Sequence, residues 1–170
     1  MGKASDRGFT SVGDRLVPKN SLIIEFLGSI DELVVVLGIA RRLCEEAGLG
    51  EEAEKLRCIQ IKALDIAKCV VRRCRAVNED DIASIEREID DMKKVVRGPT
   101  IVVPYGPLHY LFVHLARAIC RRVERRATEL LFLGVVDEAT YTYLNRLSRY
   151  LHLLAKVIAT KSGFVEESPR

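Results

Sequence analysis

Apolar residues recur every three or four positions along most of this chain, and that spacing predicts amphipathic helices. Capping residues, glycines and prolines divide the pattern into five segments. The predicted helices run from a cap at Asn20 or Ser21 to about Ala47, from about Glu51 to Val77, from a cap at Asp80 or Asp81 to Val96, from about Leu108 to Leu133, and from a cap at Asp137 to near Gly163. The pattern therefore predicts an all-α five-helix bundle forming one domain over residues 1–170.

Three segments lie outside this helical pattern. Residues 1–19 are polar and rich in glycine, so we predict a loop that is ordered by itself or by a ligand. Residues 100–103 are β-branched, but the pattern offers no second strand, so we predict an extended loop. Residues 164–170 are predicted to be a frayed tail.

The first predicted helix is apolar around its whole circumference over residues 33–37. A bundle helix of that kind is buried on two sides. Oligomerisation is a simple way to bury the side of this helix that does not face the rest of its own bundle.

The composition is that of a soluble globular domain, with 48% hydrophobic and 30% charged residues. The longest apolar run, residues 33–40, is far shorter than a bilayer span, and no signal-peptide core is present, so we expect a cytoplasmic protein without a membrane partner. The net charge of +3 is too small to argue by itself for nucleic acid. Scarce Asn and Gln together with many charges favour a thermophilic source.

The cysteines and histidines give no metal-site pattern. None of the five cysteines has CxxC spacing, so they are interpreted as buried free thiols, with an intracellular disulfide possible in a hyperthermophile. The three histidines lack ligand spacing, and we predict no metal site. Phosphate-loop, dinucleotide-binding and Ser–His–Asp motifs are also absent from the sequence.

An arginine-rich run from His114 to Arg126 is the most informative feature. At helical spacing Arg117 and Arg121 lie one turn apart on one face of the helix and can contact the same ligand or partner. Arg122 and Arg126 point elsewhere. Two planar guanidinium groups spaced in this way suit a phosphate chain or a carboxylate partner. The alternative is an exposed basic helix face on which Glu124 is a local ion-pair partner.

Two other polar positions interrupt apolar helix segments. Asp31 either pairs locally while Glu32 faces solvent, or pairs with an arginine such as Arg117. Asn145 lies inside the last predicted helix, where asparagine is a poor helix former. Its amide is either satisfied by another helix or free to contact a base or a sugar.

These pieces resemble the PduO-type ATP:cob(I)alamin adenosyltransferases, from Lys3 to about Lys156. The resemblance depends on four blocks in the same order: Lys3–Thr10 with Arg15 and Lys19; Gly28–Leu33 with Gly38 and Ala40; Pro104 and Gly106 followed by His114–Arg126; and Tyr143–Ser148. The third block is the strongest.

The resemblance implies a homotrimeric five-helix bundle with the ATP site between subunits. Its reaction transfers the 5′-deoxyadenosyl group of ATP to cob(I)alamin, with ATP and magnesium bound and cobalamin as substrate. It implies a salt bridge between Asp31 and Arg117 across the subunit boundary. It assigns catalytic roles to Asp31, Arg117 and Arg121, and nucleotide binding to Lys3, Asp6, Gly8, Thr10, Lys19, Arg121, Glu124 and Asn145.

The chain departs from the family pattern mainly on the corrin side. Ile101 replaces an aromatic residue, Tyr105 replaces a glycine, and Val34 and Arg149 replace an Asn and an Asp. These departures leave a non-catalytic trimeric relative that binds nucleotide or cobalamin as an alternative. A nucleic-acid or protein-binding module using Arg72, Arg73, Arg75 and the arginine-rich run is a second alternative, which the low net charge disfavours.

Overall fold

The computed structural model describes residues 4–98 and 101–169. Five long helices dominate these residues, and the predicted all-α bundle is confirmed. They are α1 (Leu22–Glu46), α2 (Gly50–Arg72), α3 (Glu79–Val95), α4 (Leu108–Phe132) and α5 (Glu138–Lys161). Helix α1 packs between α2 and α4, α4 packs on α5, and α5 packs on α3. This order places the core along the inner faces of α1, α4 and α5.

Side chains cap two of the five helices, α3 and α5, by a hydrogen bond to the first turn. Ser21 precedes α1, and the side chain of Asp137 accepts a hydrogen bond from the Thr140 amide at the start of α5, both as predicted. The predicted start of α3 at Asp80 or Asp81 is wrong. Asn78 is its cap, because Asn78 and Asp81 each accept a hydrogen bond from the other's backbone amide.

Helix α2 ends at Arg72 and not at the predicted Val77. Arg73 adopts a left-handed conformation with φ of 56°, and a disulfide joins Cys69 to Cys74 across the helix end. This pairing corrects the interpretation of these two cysteines as free thiols. Cys44 and Cys120 are buried free thiols as predicted, whereas Cys58 is free but exposed.

The N-terminal segment is folded, so its prediction as a loop is wrong for residues 9–18. A short 3-10 helix (Ala4–Arg7) precedes an antiparallel hairpin of β1 (Phe9–Val12) and β2 (Arg15–Pro18). Val12 is buried and anchors the hairpin, whose other side chains are mostly exposed. Four-residue strands with one buried side chain leave little hydrophobic alternation for a sequence pattern to detect.

The C-terminal tail packs against the bundle, so the predicted fraying is wrong for residues 164–167. The ring of Phe164 lies 5.4 Å from that of Tyr110. The Glu166 carboxylate accepts a hydrogen bond from the Tyr110 hydroxyl and pairs with Lys156 at 3.0 Å. Both charged side chains are nearly inaccessible, at 5% and 6% exposure, so the tail carries a buried ion pair.

The tail also provides the strand partner that the sequence pattern lacked. The Val103 amide donates a hydrogen bond of 2.8 Å to the Glu167 carbonyl in an isolated antiparallel bridge. The two residues are distant in sequence, so no local pattern indicates their pairing. The tail and the segment before α4 therefore hold each other in place.

Exposed apolar side chains remain on the outer faces of α1 and α4. Val35 and Ile39, one turn apart on α1, are 61% and 39% exposed, and Leu115 on α4 is 46% exposed. This surface agrees with the expectation that α1 needs a second covering. Within the part of the chain that the structure describes, no helix combines the length and apolarity needed to cross a membrane.

We expect Glu166→Gln to destabilise the fold by about 3–5 kcal/mol, because it leaves the Lys156 ammonium buried without its counter-ion. Urea unfolding followed by circular dichroism measures the change. Glu167→Gln is the matched control, since the Glu167 side chain is exposed and only its backbone carbonyl is used. Equal unfolding midpoints for the two variants would contradict a buried ion pair.

Candidate active site

The arginines of α4 fall into two groups. Arg126 pairs with Glu25 at 2.7 Å and donates further hydrogen bonds of 2.6 Å to the Glu25 carbonyl and the Ser29 hydroxyl. Arg122 pairs with Glu32, also on α1. The prediction that Arg122 and Arg126 point away from the stripe formed by Arg117 and Arg121 is confirmed. Glu32 is exposed, as one interpretation expected, and it also pairs with Arg122. Arg122 and Arg126 are used to join α4 to α1.

Arg117 and Arg121 form the second group, with Arg117 half-buried and Arg121 exposed. Neither forms an ion pair with any residue from 4–98 or 101–169. Burial, followed by the nearby charge of Arg121, lowers the pKa of Arg117. Glu124 also forms no ion pair with either arginine among these residues, so it is not the local partner that the alternative required. The stripe therefore presents uncompensated positive charge.

Asp31 lies on the outer face of α1, where it is exposed and forms no ion pair with another described residue. Glu25 meets Arg126 and Glu32 meets Arg122, so α1 and α4 run antiparallel. This register places Arg117 beyond Asp31 along α1. Neither a local pair of Asp31 nor a pair with Arg117 forms within one chain.

Asn145 is exposed on α5, and its side-chain amide makes no hydrogen bond to another described residue. The interpretation as a satisfied contact between helices is therefore wrong. The Cys120 thiol reaches the Leu144 carbonyl at 3.6 Å, so Asn145 lies on α5 at the level of Arg121 on α4. An unoccupied amide beside an unpaired arginine suits a polar ligand.

The predicted nucleotide segment is only partly assembled within one chain. Lys3 lies outside the described residues. The Lys19 amide donates to the Gly8 carbonyl at 2.8 Å, and the Lys19 ammonium donates to the Ser5 carbonyl at 2.8 Å. Gly8 has φ of 81°, a conformation that favours glycine.

Asp6 is exposed and Thr10 is half-buried in the same segment. No hydrogen bond or ion pair between described residues connects the segment to Arg117 or Arg121. Among the described residues, no direct polar contact therefore joins the two halves of the predicted nucleotide site.

Two histidines beside Arg117 were not assigned a role from the sequence. The rings of His114 and His152 lie 6.2 Å apart, and that of Tyr110 lies 4.5 Å from His114. His114 Nε2 and His152 Nδ1 are buried and have no hydrogen-bond partner within residues 4–98 and 101–169. Burial, followed by the charge of Arg117, lowers the pKa of His114 to about 4. The imidazole is neutral near pH 7 and adds no charge to the stripe.

The site is suited to binding an anion and stabilising its negative charge. Its unpaired guanidinium groups can stabilise negative charge on oxygen, and Glu124 and Asn145 offer polar contacts beside them. Among the described residues, no three or more His, Cys, Asp or Glu side chains are grouped to hold a metal ion. The fold and the stripe together define a helical-bundle protein with unpaired arginines on α4 that are suited to an anionic ligand.

Comparison with known proteins identifies the family. The family model for cobalamin adenosyltransferase matches residues 1–158, and the chain belongs to that family. It is 33% identical to the corrinoid adenosyltransferase MMAB of Mus musculus over 97% of this chain and 74% of that protein. It is 31% identical to a corrinoid adenosyltransferase of Bacillus subtilis over 95% of this chain and 86% of that protein.

The fold matches solved structures of the same family. A variant of the PduO-type ATP:corrinoid adenosyltransferase from Lactobacillus reuteri, complexed with cobalamin and ATP, superimposes with a TM-score of 0.88 at 23% identity. The match covers 98% of this chain and 96% of that one. The resemblance stated from the four sequence blocks is confirmed.

The depressed pKa of His114 predicts that stability falls in mild acid. The folded state keeps His114 neutral down to about pH 4, whereas the unfolded chain protonates it near 6.5, so the unfolded state binds more protons in between. Stability should therefore be highest above pH 6.5 and decline towards pH 4. Urea midpoints across this range should fall less steeply for His114→Leu than for the natural chain. Parallel curves for the two proteins would reject the depressed pKa.

Proposed function

We propose that this protein transfers the 5′-deoxyadenosyl group of ATP to cob(I)alamin, giving adenosylcobalamin and triphosphate. The electron pair of cobalt(I) forms the new cobalt–carbon bond, and the bond from the 5′ carbon to oxygen breaks. Its electrons leave on the triphosphate. The observation that carries this proposal is the pair of unneutralised arginines, Arg117 and Arg121, on a helix whose other inward arginines are paired to carboxylates.

The chain's contribution is positioning and charge stabilisation. Arg121, with Lys3 and Lys19 of the N-terminal segment, neutralises the polyphosphate and stabilises the charge that grows on the leaving oxygen. Asp6, Gly8 and Thr10 place the backbone of that segment around the phosphates, with magnesium bound to ATP. Glu124 and Asn145 contact the nucleoside. Holding the 5′ carbon in line with cobalt supplies most of the remaining acceleration.

We further propose that the working form is a cytoplasmic homotrimer in which the two halves of the site come from different subunits. Asp31 is an exposed carboxylate beside the apolar residues Val35 and Ile39. Arg117 is a half-buried cation without an ion-pair partner among the described residues of its own chain. Bringing these complementary charges together across an apolar contact neutralises both.

The non-catalytic relative is the second candidate, and it depends on Ile101 and Tyr105 alone, against the relatedness to adenosyltransferases. These two residues depart from the family pattern, and they are 69% and 72% exposed in the segment before α4. A relative of this kind would bind ATP or cobalamin without forming adenosylcobalamin. An assay of product formation separates the two candidates.

Under anaerobic conditions with reduced cobalamin and Mg-ATP, we expect the corrin spectrum to change to that of adenosylcobalamin. Arg121→Ala should lower kcat by roughly 100-fold, because it removes a donor to the leaving charge. Arg125→Ala is the matched control, since Arg125 is an exposed neighbour that forms no ion pair among the described residues. ATP binding without any spectral change would favour the non-catalytic relative.

A double-mutant cycle tests the contact between Asp31 and Arg117. Each of Asp31→Asn and Arg117→Ala should weaken the trimer and ATP binding, because each leaves a desolvated charge alone, at a cost of about 3–5 kcal/mol. The double variant should be less than additive. Light scattering against concentration measures assembly, and Arg121→Ala should leave it intact. Zero coupling would remove this pair from the proposal.

A further inference from the structure

A cavity of about 470 Å³ lies at the end of the bundle where three chain connections meet. The hairpin, the α2–α3 connection and the α4–α5 connection line it. Its charged lining consists of Arg15, Arg73, Arg75 and Asp137. Arg117 and Arg121 do not line it, so the cavity is distinct from the stripe on α4.

The charges around this cavity are unbalanced. None of the three arginines forms an ion pair with any residue that the structure describes. Asp137 is the only carboxylate of the lining, and its Oδ1 already accepts the Thr140 amide at 2.7 Å. The arginines are exposed, and the carbonyl end of α2 favours a cation at Arg73. That helix end does not account for the convergence of Arg15 and Arg75 on the same concave surface.

The α2–α3 connection is fixed by its covalent structure and backbone. Arg73 is the only residue other than glycine with positive φ among those described. Cys74, next to it, is bonded to Cys69 in the last turn of α2 and donates its amide to the Cys69 carbonyl at 3.0 Å. A connection held in this way loses little conformational entropy when its side chains bind a ligand.

The hairpin reaches the same place through its turn. Gly13 has φ of 61°, and a Cβ there would lie 3.3 Å from the Val71 carbonyl oxygen. Glycine therefore allows the turn to approach the last turn of α2 closely. This approach brings Arg15, two residues later, to the cavity.

We propose that this cavity binds a phosphate anion through Arg15, Arg73 and Arg75. Guanidinium groups bind phosphate oxygens in a bidentate geometry, and three of them match the charge of a polyphosphate better than that of a single carboxylate. The source is either the triphosphate released by the proposed reaction or free inorganic phosphate, and the first source rests on the proposed function.

Binding would connect the hairpin to the bundle. An anion held by Arg15 on one side and by Arg73 and Arg75 on the other joins two parts that have no ion pair between them among the described residues. The base of the same hairpin carries Lys19, which belongs to the proposed nucleotide segment. Occupancy of the cavity therefore stabilises the hairpin from its far end.

The test is calorimetric titration of tripolyphosphate into the full-length protein saturated with the non-hydrolysable analogue adenosine 5′-(β,γ-imido)triphosphate. The natural chain should bind tripolyphosphate at a further site on each subunit. Arg73→Ala/Arg75→Ala should weaken this binding by at least about tenfold, since two charge-assisted contacts are lost. Arg72→Ala is the matched control, because Arg72 is an exposed neighbour that does not line the cavity.

Orthophosphate is titrated in the second arm. Tighter binding of tripolyphosphate identifies the reaction product as the ligand, and equal or tighter binding of orthophosphate identifies free phosphate; both support the site. Absence of a further site, or equal affinity in the double variant, would overturn the proposal. Arg121→Ala should leave this binding unchanged. The measurement needs no corrinoid or turnover. It therefore tests the anion site independently of the adenosyltransferase activity.

Discussion

The ion pairs between α1 and α4 are the interaction on which the site depends. Arg122 and Arg126 are held by Glu32 and Glu25, and these pairs accompany the antiparallel register in which the buried faces of the two helices pack. In the same register neither Arg117 nor Arg121 forms an ion pair with a carboxylate of α1. An arginine-rich helix thereby separates a structural face from a face that can receive a ligand.

Leaving two guanidinium groups one turn apart without counter-ions costs free energy, because like charges repel and one of them is half-buried. The lowered pKa of Arg117 reflects this burial and repulsion. Neutral His114 avoids adding a third charge. An anion that reaches the stripe relieves the repulsion and meets donors already in place, which is how a fixed site stabilises a leaving group.

The helices could be predicted because their causes are local. The 3.6-residue period, Ser21 at the start of α1 and the Asp137 cap of α5 lie within a few residues of the elements that they define. The errors have distant causes. The tail is held by Lys156 and by Val103, which lie far from it in sequence, and the early end of α2 accompanies a disulfide that spacing alone did not indicate.

In the candidate site, too, the features with local causes could be predicted and those with distant causes could not. Helical spacing was enough to separate Arg117 and Arg121 from Arg122 and Arg126, because it depends only on the geometry of one helix. The partners of Arg117 and Asp31 could not be predicted from that geometry, since neither side chain forms an ion pair with any residue of its own chain that the structure describes. If assembly and substrate draw on these same unpaired charges, subunit association and anion binding are linked, and each changes the free energy of the other by an equal amount.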